Sequence, residues 1–134
     1  MKFPGVGVAA IITKNRKVLM AKRKNVHGAG FWQFPGGKLE LNEGLHACVR
    51  REVMEEAGIK VSGIRLVGLT NDIFLKDRKH YITVFYACRY SSGRVRLMEP
   101  EKNGPWAWFE WKRLPKPLFF PIRNLLKQGF DPFA

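Results

Sequence analysis

Residues 36–59 read GGKLELNEGLHACVRREVMEEAGI and hold five of the 11 acidic residues in the chain, Glu40, Glu43, Glu52, Glu55 and Glu56. The same chain carries 24 Lys plus Arg and a formal net charge of +13. Repulsion scatters carboxylates unless something positive sits among them. Residues 44–57 have the apolar spacing of a helix, with Gly58 in the position of a left-handed C-terminal cap. Advancing about 100° per residue puts Leu45, Cys48, Val49 and Val53 on one side, the side expected to meet the core. Glu52 and Glu56 share that side and Glu55 lies at its edge. Ala47, Arg50, Arg51 and Met54 point outward in this projection. The carboxylates therefore continue the apolar stripe instead of forming a solvated face.

Glutamates at i, i+3 and i+4 repel one another, and partial burial sharpens the repulsion. Arg51 can pair with Glu55 one turn on, but one arginine cannot neutralise three converging carboxylates. A divalent cation can, and an all-oxygen ligand set suits a hard ion, Mg²⁺ or Mn²⁺. The PGG turn at 35–37 lets backbone approach backbone and leaves carbonyls free for a cation. Glu43 either folds back towards the cluster or serves as an acid at the helix N-terminus. Glu40 reads as a surface loop residue.

Outward from the helix, VGVAAII (6–12) is apolar on both faces, as a central strand is, and KVLMAKR (17–23) follows the turn-like KNR. FWQF (31–34) is a short strand stopped by Pro35, Gly36 and Gly37. Segments 64–75, 80–90 and 105–111 read as strands, and 120–130 as a final helix with Pro121 early and Gly129 at its end. Strands interleaved with two separated helices predict a mixed sheet covered on both faces, in one domain spanning 1–134.

Composition sets outer bounds. No apolar run approaches the roughly 18–20 residues of a membrane span, and the apolar start lacks the cleavage site of a signal peptide. Cys48 and Cys88 have no metal-ligand spacing and form no disulfide framework, so reduced thiols in a cytoplasm are expected. The high positive charge suits either an acidic partner, such as nucleotide or nucleic acid, or a generic soluble surface. Carboxylate-held metal within a cationic protein points to phosphoryl chemistry; a nucleic-acid-binding module is the alternative from these arguments alone.

The pattern Gly, five residues, Glu, seven residues, Arg-Glu, apolar, any, Glu-Glu, any, Gly, apolar is the signature of the Nudix hydrolases. It is met at Gly37, Glu43, Arg51, Glu52, Val53, Glu55, Glu56, Gly58 and Ile59 without departure. The resemblance implies an α/β/α sandwich and hydrolysis of a nucleoside diphosphate linked to another group. It implies that Glu52 and Glu56 bind Mg²⁺ or Mn²⁺, with Glu55 a further ligand or the base, and that Arg51 orients a glutamate. The Gly36 carbonyl resembles a backbone ligand, and Glu101 or Glu99 resembles the additional acid that some members supply from a later loop.

Outer stretches, among them GVGVAAII, GAGFWQFPGGKLELNE, MEPEKNGPWAWFEW and GFDPF, are similar to the branch that cleaves nucleoside triphosphates to monophosphate and diphosphate. Human and plant members of that branch remove oxidised or modified dNTPs and are commonly homodimers. Nucleotide sugars, RNA caps and prenyl diphosphates are the alternative substrates, and a silent nucleotide- or RNA-binding domain is the third class. Arg23 is expected either to contact a phosphate or to be a strand-end cation. Trp32 and Phe34 are candidates for base stacking or core, and His80 occupies a position where similar enzymes place a histidine near substrate. Gly37 is expected beside the substrate. The partners expected are a small-molecule nucleotide and a second copy of the chain; nucleic acid is possible but not expected, and no membrane is expected.

Overall fold

The computed structural model describes residues 1–134. Its strands are β1 (Gly5–Lys14), β2 (Lys17–Lys22), β3 (Trp32–Gln33), β4 (Gly36–Lys38), β5 (Lys60–Phe74), β6 (Lys79–Ser92) and β7 (Ala107–Glu110). Helix α1 spans Leu45–Ala57, a 3₁₀ turn spans Trp111–Arg113, and α2 spans Phe120–Leu126. The sheet runs in the order β3-β2-β1-β6-β5, with β4 added on β1 and β7 on β2. β1 and β6 are parallel and every other pair is antiparallel, so the sheet is mixed. No helix is long and apolar enough to cross a membrane.

The turn after β1 follows from its residues. Asn15 and Arg16 both have positive φ, 50° and 60°, and Lys14 pairs with Lys17 across them. A two-residue hairpin of this kind matches the right-handed twist of its strands.

Alternation along β1 divides the core. Ala10 and Ile12 face α1, where they pack with Cys48, Val49, Val53 and Ala57. Ile11 faces the other way, against Phe34, Phe85 and the α2 residues Ile122 and Leu125. Helices therefore cover both faces, giving the α/β/α sandwich. Val49 and Val53 are fully buried, each stabilising the fold by roughly 1.5–3 kcal/mol relative to exposure. Gly58 ends α1 at φ 70° and its N–H donates to the Met54 carbonyl (3.1 Å).

Three sequence expectations change. The glycine turn after Pro35 is a strand: Gly36–Lys38 pairs with Gly7–Ala9 of β1. A Cβ at Gly36 would collide with the Val8 carbonyl oxygen, so bare backbone is what permits the pairing. The last helix stops at Leu126, short of the expected 130. Leu45, expected in the core, is 36% exposed because it stands in the first turn of α1, beyond the sheet.

Candidate active site

Helix α1 brings its glutamates to the mouth of a cleft of about 960 Å³. Glu56 is 7% exposed, and its Oε1 accepts the Gly36 N–H at 2.9 Å. Its backbone carbonyl accepts from Trp106 Nε1 (3.0 Å), which fixes this turn of the helix from the far side. Burial pushes the Glu56 carboxyl up to about 8, with the nearby Glu52 and Glu99 adding to the rise. Burial likewise raises Glu52, against the pull of Arg51. A Cβ at Gly37 would collide with the Glu52 carboxylate, so a larger residue there would push that carboxylate from its place.

Arg51 does not point outward. It folds under the helix as a clasp, donating from Nε and Nη2 to both oxygens of Glu43 (2.7 and 2.9 Å). Its Nη1 donates to Glu52 (2.5 Å) and Glu55 (3.2 Å), and Nη2 also reaches the Lys38 carbonyl (3.1 Å). Hydrogen bonding to Arg51 holds the Glu43 carboxyl down at about 2. Glu43 thus belongs to the cluster, and α1 has no side-chain cap at its N-terminus. Glu40 is an outer partner, 3.5 Å from Arg51 and 67% exposed.

No three acidic side chains converge at ligating geometry. The chemistry of the donors nevertheless fits a hard divalent ion. Glu56 is buried with a single backbone donor, and Glu52 and Glu99 stand close enough to raise its pKa. Of these three acids only Glu52 is paired with Arg51, so a divalent cation is what would let the group carry its charges together. Of the two acids expected from the later loop, Glu99 lines the cleft and Glu101 does not. Glu101 sits one turn further on, where its carbonyl accepts from Asn25 Nδ2 (3.3 Å).

Arg23 occupies the middle of the cleft. Its Nε donates to the His27 carbonyl (2.6 Å), its Nη1 to Gln33 Oε1 (2.5 Å), and its guanidinium lies 4.1 Å from the Phe119 ring centroid. Burial lowers its pKa from the ordinary arginine value. Gln33 in turn donates from Nε2 to Asn103 Oδ1 (2.6 Å). Beyond Arg23 the wall becomes aromatic, with Phe74, Tyr81, Phe85 and Phe119. His27 stands edge-on to Phe74 at 4.3 Å and pairs through Nδ1 with Asp77 (3.1 Å).

The remaining candidates separate. Phe34 is both core and cleft floor, 2% exposed and stacked on Trp111 at 6.3 Å. Gly36 and Gly37 line the cleft. Trp32 lies outside it, edge-to-face with Phe109 (5.3 Å) and under the Lys22 ammonium (5.4 Å). Alternation explains this: β3 turns Gln33 into the cleft and Trp32 out of it. His80 also lies off the cleft wall, with Nε2 2.5 Å from Asn71 Oδ1. Gln33, Asn103, Phe74, Tyr81 and Phe119 escaped the sequence reading, which followed carboxylates and tryptophans. Strand alternation across FWQF could have found Gln33.

A cleft with a carboxylate-bearing helix at one end, and with Arg23 and aromatic rings among its lining, suits a ligand that carries phosphoanhydrides. The NUDIX domain description matches residues 1–128, and the chain belongs to that family; it is a hydrolase acting on diphosphate-containing substrates. An ADP-ribose pyrophosphatase of Methanocaldococcus jannaschii is 31% identical over 96% of this chain and 68% of its own length. An 8-oxo-dGTP diphosphatase of Buchnera aphidicola is 30% identical over 63% of the chain and 65% of its own length. The crystal structure of a MutT NUDIX hydrolase from Burkholderia pseudomallei superposes with a TM-score of 0.89 at 32% identity, covering 96% of this chain and all of the other.

Proposed function

We propose that the protein hydrolyses nucleoside triphosphates, oxidised or modified dNTPs among them, to nucleoside monophosphate and diphosphate. The observation that carries this is the order of chemistry along the cleft: carboxylates, then Arg23, then aromatic rings. A nucleotide has the same order of metal-binding phosphates, anionic oxygens and π-faced base. The 8-oxo-dGTP diphosphatase among the relatives supports the same choice.

A bound Mg²⁺ or Mn²⁺ would neutralise phosphate charge and acidify water. Glu52, Glu56 and Glu99, with the Gly36 carbonyl, would hold it. Arg51 keeps Glu52 and Glu55 aimed at the cleft mouth, and Glu55, half exposed, accepts the proton of the attacking water. Arg23 donates to a phosphate oxygen. The whole chain acts as one domain in a reducing cytoplasm, consistent with free, buried Cys48 and Cys88. Homodimer formation is supported by Leu66, Leu69 and Ile73, exposed on edge strand β5.

The test is a substrate panel with Mg²⁺ or Mn²⁺, scored separately for phosphate and diphosphate. Diphosphate released from dNTPs is the expected result. A second reading, cleavage of ADP-ribose, rests on the relative that spans 96% of this chain. Turnover of ADP-ribose or other diphosphate-linked substrates with dNTPs untouched would replace the first reading with it.

A further inference from the structure

The chain of hydrogen bonds Arg23–Gln33–Asn103 has a direction. A guanidinium only donates, so Arg23 fixes Oε1 of Gln33 as the acceptor and turns its amide NH₂ towards Asn103 Oδ1. Arg23 thereby sets which end of each amide is oxygen. The Asn103 NH₂ is left without a partner, although the residue is 0% exposed. The backbone pins Asn103 there: its N–H donates to the Glu99 carbonyl (3.1 Å), and residues 23 and 103 form a β-bridge. An unsatisfied buried amide donor destabilises a fold by about 1–3 kcal/mol. What the side chain does supply is the acceptor for Gln33 Nε2 (2.6 Å), so its clearest contact is with the group that holds Arg23.

We propose that Asn103 is a positioning residue for substrate binding. Its Oδ1 locks the Gln33 amide, so that Gln33 Oε1 and the His27 carbonyl grip Nη1 and Nε of Arg23. Nη2 has no protein partner and is left for a phosphate oxygen of the nucleotide. Without the Asn103 acceptor, Gln33 loses the anchor at its far end, so its Oε1 no longer holds Arg23 Nη1 at a fixed place and the guanidinium loses one of its two supports. This inference rests on the reading of Arg23 as a phosphate contact.

A double-mutant cycle tests it, reading Kd for a non-hydrolysable deoxynucleoside triphosphate analogue, KM and kcat for the matching dNTP with Mg²⁺, and Tm. Asn103→Leu is expected to weaken Kd and KM about tenfold, the size of one charge-assisted hydrogen bond. It should change kcat far less, and the variant should remain folded at the assay temperature, as Tm reports. In an Arg23→Gln background the same substitution should have no further effect. Unchanged Kd with a lowered Tm would make Asn103 merely structural and overturn the proposal. Additive losses would also overturn it, because Asn103 would then act independently of Arg23. If Arg23→Gln alone leaves Kd unchanged, the phosphate reading of Arg23 fails first and takes the inference with it.

Discussion

The two ends of the cleft are built on opposite principles. At the helix end, like charges are packed together and held by a single arginine. At the loop end, neutral amides are strung in series behind an arginine and lead to aromatic rings. The first arrangement is electrostatically unfavourable until a cation joins it; the second is nearly satisfied by itself, apart from the Asn103 amide and His27 Nε2. The helix end is therefore suited to chemistry, and the loop end to holding and aiming the substrate. Substitutions at the helix end should act mainly on kcat, and those at the loop end mainly on KM.

The largest effect is expected at Glu56. Glu56→Gln keeps the shape and the Gly36 hydrogen bond, but removes a charge that a divalent ion needs. A loss of about 1,000-fold in kcat, with little change in KM, is expected from the several kcal/mol a catalytic cation supplies. Steady-state kinetics checks it, and a loss confined to KM would erase the contrast between the two ends.

Arg51→Gln comes next. It leaves Glu43, Glu52 and Glu55 without their shared cation, so stability should fall by about 2–4 kcal/mol, read by urea denaturation. Misaimed glutamates should also reduce kcat by about 10- to 100-fold. Lost rate without lost stability would mean that the clasp does not support the fold.

Proton linkage gives a third separation. Glu56 has an ordinary value of 4.5 and is raised to about 8 in the fold. The folded state therefore binds the proton more tightly than the unfolded state, and the metal-free protein should lose stability as pH rises from about 4.5 to about 8. Glu43 runs the other way, from 4.5 down to about 2; its contribution is present above about 4.5 and is lost as pH falls towards 2. Thermal melts of the wild type across pH 5–8, with EDTA present, should show falling Tm. The slope should flatten in Glu56→Gln, and an unchanged slope would place the titration elsewhere.

Smaller effects are expected at the loop end. Phe119→Ala removes the ring beneath Arg23 and part of the aromatic wall, so KM should rise about five- to tenfold, as loss of one stacking contact does. Glu101→Gln and His80→Ala should stay within about twofold of wild type, because neither lines the cleft, whereas Glu99→Gln should reduce kcat about tenfold or more. A larger effect at Glu101 than at Glu99 would exchange their roles.

The helix end was the legible one. Charge, helical period and a fixed motif all fall on a continuous segment, so Glu52, Glu56, Gly37 and the Gly58 cap could be placed before any fold was known. The loop end is assembled from Arg23, Gln33, Asn103 and Phe119, which lie far apart in the chain and each look ordinary alone. Two glycines carry no strand pattern, so Gly36–Lys38 reads as a turn; pairing with β1 makes it a strand. A helical projection points Arg51 outward because it fixes only Cα directions, while a long arginine side chain can bend back to carboxylates beside it. Trp32 drew attention as a ring near the motif, yet its strand turns it to the opposite side from Gln33.

The account depends on Glu56, with its neighbours, being a divalent-cation ligand. Its most direct test is a Mn²⁺ titration of the nucleotide-free protein, followed by electron paramagnetic resonance and repeated with Glu56→Gln. The account predicts saturable Mn²⁺ binding by the wild type and affinity at least tenfold weaker in the variant, while the variant stays folded. Equal affinity in the two proteins would contradict it.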